Sequence, residues 1–265
     1  MLDKPAGESS NRSLQRVKRL LDAAKAGHTG SLDPLATGVL PLCFGEATKI
    51  SQFLLDADKK YRTTIKLGIK TASGDSQSET LSTSSVNITR EQVERCLDSF
   101  RGEIEQIPSM YSALKHNGVP LYKLARKGEE VERKVRHVTI HHLELLDFRE
   151  DELDLEITCS KGTYIRMIAD DLGDMLGVGG HVIVLRRLQS GPFMESASVT
   201  IETLEAEAQS LGPAGLDHYL QPADIAVQAL QKVDLPTDTA DYVRQGQAVI
   251  SRGLPTSGTV RLYDN

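Results

Sequence analysis

The residues that could do chemistry begin with one aspartate in the segment from His28 to Lys49. Asp33 is the only acidic residue between Asp22 and Glu46, and it stands directly before Pro34. A proline disfavours helical dihedrals at the residue before it, so we expect Asp33 in an extended conformation on a stiff loop. A lone carboxylate held in this way suits a nucleophile or a general acid–base group. Aspartate before proline also forms ordinary turns, and the local sequence leaves both interpretations open.

Three further side chains with suitable chemistry lie in segments of clear periodicity. Tyr61 stands near the start of residues 60–70, where apolar and polar residues alternate as in a strand. Tyr164 and Arg166 fall in the first turn of a predicted helix. An arginine at a helix N-terminus is unfavourable with the helix dipole unless an acid pairs with it. Asp170, four residues further on, is one candidate partner, and a distant acid is the other.

The composition indicates a protein with a sizeable core. The chain has 265 residues, of which 39% are hydrophobic, and no apolar run near 18 residues, so we expect a soluble protein without a membrane span. Its first residues lack the apolar stretch of a signal peptide. Cys43, Cys96 and Cys159 form no C-x-x-C pair, which argues against a zinc or iron–sulfur site and against a disulfide framework. We therefore expect a reduced, cytoplasmic protein that holds no metal.

The charge is unevenly distributed along the chain. The net charge of −6 argues mildly against a nucleic-acid partner, but the acidity is concentrated in residues 196–265. Residues 1–70 and 115–136 are basic. In residues 106–127, tyrosines and apolar residues alternate with lysines and arginines, a pattern typical of a surface that stacks on bases and contacts phosphates. A plain amphipathic helix would show a similar pattern, so this signal is weak by itself.

The periodicity predicts the elements that must position these residues. We expect a first helix at residues 10–26, ended by Gly27, and a second at residues 46–57. A third helix should follow the capping box at residues 89–92. A fourth should span residues 163–176, with Thr163 as the N-cap and Gly177 at the end. Two short helices are expected within residues 200–232. We expect strands at residues 60–70, 134–149, 153–160 and 179–188, with a further β segment near the end.

The segment G-S-L-D-P-L-A-T-G-V-L, residues 30–40, resembles the catalytic motif of the TruB-type tRNA pseudouridine synthases. Further motifs of that family occur in the same order as D-K-P-A-G-E-S-S (3–10), K-K-Y (59–61), T-A-S-G-D-S-Q-S (71–78), P-S-M-Y-S-A-L-K (108–115), K-G-T-Y-I-R (161–166) and H-V-I-V-L-R-R (181–187). The fourth of these seven segments departs from the family pattern, since Ser73 and Ser78 replace a threonine and a glycine. The ordered motifs cover residues 2 to about 190.

The resemblance implies a role for each matched residue. It makes Asp33 the nucleophile, Tyr61 a general base or acid that lies against the target base, and Arg166 the partner of Asp33. It implies contacts with the substrate RNA for a second set of residues: His28, Lys49, Asp75, Met110, Tyr164 and Leu185. His28 would occupy the space of the flipped base and Leu185 would lie under the uracil. Without the resemblance, Lys49 is an ordinary solvated lysine, His28 a loop histidine and Leu185 a core residue.

The resemblance also implies the fold and domain organisation. It predicts an α+β pseudouridine synthase fold in which a largely antiparallel central sheet is flanked by helices. The catalytic domain would span residues 1–232, with an RNA-binding insertion at about residues 105–136. Residues 233–265 resemble the start of a PUA domain, a small RNA-binding β-barrel, and are short for that module.

The implied reaction isomerises the uridine at position 55, in the T loop of tRNA, to pseudouridine by a single, monomeric protein without a cofactor. The carboxylate would attack either C6 of the uracil or C1′ of the ribose, and the sequence does not choose between them. A hydrolase would need a second acid placed to protonate the leaving group, and the matched motifs offer none. A noncatalytic tRNA-folding factor and an RNA-guided relative remain the alternatives.

Overall fold

The computed structural model describes residues 1–250, 254–255 and 257–264. Its helices are α1 (Ser10–Leu20), α2 (Ser51–Leu55), α3 (Arg90–Leu97), α4 (Leu121–Ala125), α5 (Ile165–Met175), α6 (Ile201–Leu211) and α7 (Thr237–Arg244). Short 3₁₀ segments occupy Gly45–Ile50, Asp98–Phe100, Glu195–Ala197, Pro213–Tyr219 and Ala223–Val227.

The strands are distributed along the whole chain. They are β1 (Leu2–Lys4), β2 (Ala26–His28), β3 (Thr37–Leu40), β4 (Leu42–Phe44), β5 (Lys59–Leu67), β6 (Ile69–Thr71), β7 (Thr80–Thr83), β8 (Gly102–Gln106), β9 (Lys115–His116), β10 (Val119–Pro120), β11 (Arg136–Arg149), β12 (Glu152–Cys159), β13 (Gly180–Ser190), β14 (Phe193–Met194), β15 (Val199–Thr200), β16 (Lys232–Leu235) and β17 (Arg261–Asp264).

A central sheet organises the described residues, in the strand order β15-β1-β3-β13-β5-β12-β11-β8, with β14 attached to β13. The pairs β1–β15 and β3–β13 are parallel, and the other pairs of this sheet are antiparallel. The prediction of a largely antiparallel sheet flanked by helices is therefore confirmed. Side chains of β5 alternate between buried and more exposed positions, which buries one face of the sheet.

The main core joins that face to helices from distant parts of the chain. Val17 of α1, Leu97 of α3, Ile168 of α5 and Leu204 of α6 all belong to it. The predicted capping box is present, because the Thr89 side chain accepts from the backbone of residue 92 and the Gln92 side chain accepts from the backbone of residue 89. The helix–sheet packing fixes where α5 begins, and therefore where Arg166 lies.

Two of the predicted helices are shorter than expected. The first helix ends at Leu20 and not near residue 26, because Asp22 adopts a left-handed φ of 45°. Residues 46–57 begin as a 3₁₀ turn, since the Thr48 hydroxyl donates to the carbonyl of Gly45, and only Ser51–Leu55 is α-helical.

Thr163 is not the N-cap of α5. Its hydroxyl donates to the Ser160 carbonyl, 3.0 Å away, and Tyr164 takes the N-cap position without a side-chain cap. The predicted end of this helix is confirmed, with Gly177 at a φ of +75°. Residues 200–232 contain α6 followed by two 3₁₀ segments, where two short helices were expected.

The described part of the C-terminal segment is not a closed barrel. β16 pairs in parallel with β17, and α7 packs on them through a small core of Val233, Leu235 and Ala240. Two strands cannot close a barrel, so the described part of the predicted partial β-barrel consists of a two-stranded sheet and one helix. Residues 251–253, 256 and 265 of the predicted module lie outside the described residues. Among the helices described, none is both long and apolar enough to cross a membrane.

Gly38 is the tightest point of the parallel contact between β3 and β13. Its φ is +99°, and a Cβ at this residue would lie 2.2 Å from the Arg187 carbonyl oxygen. Gly45 also has a positive φ, of +54°, but an added Cβ there would meet nothing within 4 Å.

We expect Gly38→Ala to lower the free energy of unfolding by more than about 3 kcal/mol, because strain and a backbone clash add. The matched variant Gly45→Ala carries the strain alone and should cost about 1–2 kcal/mol. Urea unfolding at 25 °C measures both values. Equal losses in the two variants would contradict the close approach of β3 to β13.

Candidate active site

The loop from residue 29 to residue 36 holds Asp33 between buried anchors. Leu32 is 5% exposed, and its backbone N–H donates to the Ser10 hydroxyl at 2.7 Å. Ala36 is fully buried and its N–H donates to the Asp33 carbonyl at 3.0 Å, which closes a turn across Pro34. The Asp33 side chain is 39% exposed. The loop is therefore fixed on both sides of a carboxylate that remains open to a ligand.

A buried lysine forms hydrogen bonds with backbone carbonyls on both sides of this contact between β1 and the loop. Lys4 has no exposed surface, and its Nζ donates to the carbonyls of Pro5 at 2.6 Å and Ala36 at 2.8 Å. Burial lowers the pKa of Lys4 to about 8, while the charges of Glu8 and Asp33 act in the opposite direction. The ammonium thus ties β1 to the turn that carries Asp33.

Arg166 is the partner of Asp33. Its Nε lies 2.8 Å from Asp33 Oδ2, and Arg166 is 3% exposed. Nη1 donates to the Ser73 carbonyl at 2.6 Å, and Nη2 donates to the Tyr111 carbonyl at 3.1 Å. One guanidinium therefore joins α5 to the loop of Asp33, to residues 71–78 and to the segment that begins after β8.

Asp170 does not pair with Arg166. Its carboxylate lies 3.3 Å from Lys70 Nζ. The local alternative is therefore wrong, and the acid that compensates the arginine at the start of α5 comes from a segment 133 residues earlier in the chain.

Asp75 is the second carboxylate near this guanidinium, with Oδ2 at 3.7 Å from Arg166 Nε. Asp75 is 5% exposed, and its Oδ1 accepts from the Ser73 hydroxyl at 2.6 Å and from the Gln77 N–H at 3.0 Å. The loop lies close against α5, since a Cβ on Gly74 would be 3.0 Å from the Arg166 carbonyl. Asp75 therefore contributes charge from a buried position, and Asp33 is the more accessible of the two acids.

Tyr61 lies on β5 opposite Arg187 of β13. Burial raises the pKa of Tyr61, the cation of Arg187 opposes this rise, and the charge of Asp33 adds to it. Arg187 is itself 1% exposed, and its guanidinium donates to the carbonyls of Val39 at 2.7 Å and Gly30 at 3.2 Å. The same buried cation therefore acts on the tyrosine and contacts the loop that carries Asp33.

Tyr164 is half-buried at the start of α5. Burial raises its pKa, a side-chain interaction with Ser112 opposes the rise, and Asp33 adds to it. The charge of Asp33 therefore raises the pKa of both tyrosines. Because a raised pKa keeps a phenol protonated at neutral pH, each tyrosine is a proton donor near the carboxylate.

His28 and Leu185 both lie near Arg187, the first close enough for an electrostatic interaction and the second two residues before it on β13. Burial and the cation of Arg187 lower the pKa of His28, and its Nδ1 is buried without a hydrogen-bond partner in the described part of the chain. Leu185 is 6% exposed and pairs with Thr63, two residues from Tyr61 on β5. Both residues are therefore near the cation that contacts the loop of Asp33.

Two predicted site residues are not gathered around Asp33. Lys49 is 68% exposed and forms an ion pair with Glu46 on the 3₁₀ turn. Met110 is 8% exposed and packs with Leu121 and Leu124 in the small core of the segment after β8.

Sequence reasoning missed three supporting residues. Lys4 belongs to the D-K-P segment and Arg187 to the L-R-R segment, but neither motif predicts that a cation is buried against carbonyls. Gln106 carries no signal beyond its place before Ile107 and Pro108. Its side chain nevertheless bonds both backbone polar groups of Tyr164.

One group of described side chains has ligands suited to a metal ion. Atoms of His142, Glu144 and Glu156 lie within 4.8 Å of one another. The Glu156 carboxylate already pairs with Lys60 at 2.6 Å and Arg62 at 3.3 Å, and the group includes none of the residues around Asp33.

Three family models match successive parts of the chain. Residues 18–165 match the model described as "TruB family pseudouridylate synthase (N terminal domain)", residues 166–228 match "tRNA pseudouridylate synthase B C-terminal domain", and residues 232–265 match "Pseudouridine synthase II TruB, C-terminal".

Curated relatives match over the whole chain. A protein of Coxiella burnetii (strain Dugway 5J108-111) named tRNA pseudouridine synthase B is 54% identical, over 100% of this chain and 86% of the relative. A protein of the same name from Vibrio atlanticus (strain LGP32) is 53% identical, over 99% of this chain and 84% of the relative.

Solved structures share the fold. The structure titled "Crystal Structure of a Cbf5-Nop10-Gar1 Complex" matches with a TM-score of 0.73 at 30% identity, over 92% of this chain and 66% of the solved one. The structure titled "Structure of H/ACA RNP bound to a substrate RNA containing 2'-deoxyuridine" has a TM-score of 0.73 at 26% identity, over 99% of this chain and 73% of the solved one.

The buried Lys4 predicts a dependence of stability on pH. Its folded-state pKa of about 8 lies below the ordinary value of 10.5, so the unfolded chain binds this proton more tightly than the native one. The charged lysine therefore weakens the native state at neutral pH, and this penalty disappears as the pH rises from about 8 to 10.5.

We expect the difference in unfolding free energy between the parent and Lys4→Met to grow by up to about 3 kcal/mol between pH 7 and 10.5, in favour of the parent. Urea unfolding at a series of pH values measures it. Lys59, whose pKa burial also lowers to about 8, is unchanged in both proteins and cancels. A difference that stays constant across this pH range would show that Lys4 is not buried as described.

Proposed function

Because the chain belongs to the TruB family of pseudouridine synthases, we propose that it isomerises a uridine in the T loop of tRNA, at position 55, to pseudouridine. The observation that carries the proposal is the contact of 2.8 Å between Arg166 and Asp33, with Tyr61 and Tyr164 within reach of the same carboxylate's charge. We propose a cytoplasmic monomer that acts without a cofactor.

The reaction moves one base and changes no oxidation state. The N1–C1′ bond of the uridine breaks, the uracil rotates, a C5–C1′ bond forms, and the proton on C5 is finally exchanged for one on N1. A carboxylate can assist either by adding to C6 of the ring or by bonding to C1′ as the uracil leaves. Asp33 serves in both routes, because it is the partly exposed acid of the site.

Arg166 orients the nucleophile. Its other two hydrogen bonds go to backbone carbonyls, so the guanidinium cannot turn away from Asp33 without losing them. An attacking oxygen held in one place reduces the entropy lost on reaching the transition state. Tyr61 stacks against the uracil and transfers the proton that passes between C5 and the base nitrogen or oxygen.

The target base must leave the stack of the T loop before it can meet Asp33. Extruding a base costs a few kcal/mol, which contacts in the enzyme must offset. The side chain of His28, whose buried Nδ1 has no hydrogen-bond partner in the described residues, is suited to the place that the base vacates. The apolar side chain of Leu185 is suited to the place that the flipped base takes. Asp75 provides a second carboxylate near the same Arg166 Nε, at 3.7 Å.

The segment at residues 105–136 supplies a basic surface for the RNA. Lys115, Lys123, Arg126 and Lys127 are exposed there, and Arg126 lies 5.6 Å from the centre of the Tyr122 ring. Met110 anchors this surface from its core, and the exposed Lys49 contacts the RNA backbone away from the group around Asp33. We propose that this insertion belongs to a catalytic domain of residues 1–232, followed by an RNA-binding module at residues 233–265.

The bare T-stem-loop RNA, with no added protein or guide, is the substrate that tests this function. We expect the parent to form pseudouridine in it. Asp33→Asn should lower the rate by more than about 10³-fold and leave RNA affinity within about threefold, because the amide keeps the shape but cannot act as a nucleophile.

Asp174→Asn is the matched control for that variant, since it makes the same chemical change at an exposed position near the end of α5. It should retain the parent rate. Pseudouridine formed by Asp33→Asn would refute the assigned nucleophile. Tight binding by the parent without any product would favour the noncatalytic folding factor, and product formed only with a guide RNA would favour the RNA-guided class.

The basic insertion predicts a salt effect on binding. Replacing Lys123 and Lys127 by glutamine should weaken RNA binding and reduce the slope of log Kd against log salt by about 1–2, because up to two phosphate contacts disappear. Lys66→Gln, which removes a cation paired with Asp151 on the sheet, should leave the slope unchanged. Equal slopes for the double variant and the parent would place the RNA elsewhere.

A further inference from the structure

The insertion meets the catalytic turn through one buried glutamine. Gln106 is the last residue of β8 and is 3% exposed. Its Oε1 accepts from the backbone N–H of Tyr164 at 3.0 Å, and its Nε2 donates to the Tyr164 carbonyl at 3.2 Å. A single side chain therefore bonds both backbone polar groups of Tyr164, whose carbonyl also accepts from the backbone N–H groups of Met167 and Ile168.

Tyr164 is the residue at which such a contact has the most effect. It is the N-cap of α5, with extended dihedrals, and its own side chain provides no cap. The direction of the Tyr164 ring and the start of α5, where Arg166 lies in the first turn, both depend on the orientation of this peptide. No other side chain in the described residues forms a hydrogen bond with the Tyr164 backbone.

A second contact joins the same two regions. Arg166 Nη2 donates to the carbonyl of Tyr111, five residues beyond Gln106. The insertion thus begins with a side chain that fixes the catalytic turn and continues with a carbonyl that holds the catalytic guanidinium. A displacement of this segment would change both contacts together.

We propose that Gln106 is a positioning residue, which sets Tyr164 and Arg166 in register with the insertion so that the Asp33 carboxylate is correctly held when RNA binds there. The proposal rests on the proposed function and deepens it. Gln106 touches no reacting atom, and it acts through the peptide of Tyr164. Binding of RNA to the insertion would act through Gln106 and the Tyr164 peptide, and would favour the reactive arrangement of the Asp33–Arg166 ion pair.

The test compares variants of Gln106 in single-turnover kinetics on T-stem-loop RNA, with RNA affinity measured separately. Gln106→Met is close in size and removes both hydrogen bonds. We expect the rate constant of the chemical step to fall by 10–100-fold, while Kd stays within twofold, because misplacement of the reacting groups affects the chemical step more than binding.

Gln106→Glu is the second variant, since it keeps the size and one acceptor but opposes the Tyr164 carbonyl with a second oxygen. Its rate should fall by at least as much as that of Gln106→Met. Ile104→Val, in the same strand, is the control for a small loss of stability without any change at Tyr164. It should retain the parent rate.

An unchanged rate in either folded Gln106 variant would overturn the inference. It would also be overturned if Ile104→Val lost as much rate as the Gln106 variants at a similar drop in melting temperature, because the effect would then be one of stability. A parent that forms no pseudouridine in this RNA would instead refute the proposed function.

Discussion

A buried guanidinium is the constraint on which the rest of the structure depends. Arg166 is 3% exposed, and a charge at that depth is tolerated only if paired and hydrogen-bonded. The chain meets this requirement with the carboxylates of Asp33 and Asp75 and the carbonyls of Ser73 and Tyr111. These groups come from three segments that are distant in sequence, so the condition for burying the arginine also assembles the site.

The same principle operates on the other side of the Asp33 loop. Lys4 and Arg187 are buried, and both direct their donors at backbone carbonyls of the segment from Gly30 to Val39. Carbonyl partners fix the position of the backbone without neutralising the charge, so the hydrogen bonds leave the positive charge of these cations uncancelled. Lys4 and Arg187 therefore hold the loop of Asp33, and Arg166 holds its side chain. A carboxylate placed in this way is available to a substrate and cannot easily turn away from it.

The extent to which sequence predicts this site follows from the range of each interaction. Local signals were reliable where one segment decides the outcome, as in the capping box at residues 89–92 and the glycine that ends α5. They were wrong where a short-range hydrogen bond changes the pattern, as at Thr163. The ordered motifs indicated that Asp33 and Arg166 meet. Gln106 was out of reach, because an uncharged side chain that bonds a distant backbone leaves no periodicity or composition signal.

In the proposed mechanism, the geometry of the Arg166 guanidinium, and not its charge alone, makes Asp33 reactive. Arg166→Lys tests this most directly, because lysine keeps the positive charge but cannot bond Asp33 and two carbonyls in one plane. The measurement is the single-turnover rate of pseudouridine formation in T-stem-loop RNA, with RNA affinity as evidence that the variant is folded. We expect a fall of more than about 100-fold in rate with nearly unchanged affinity. A folded Arg166→Lys variant that works within a few-fold of the parent would contradict it.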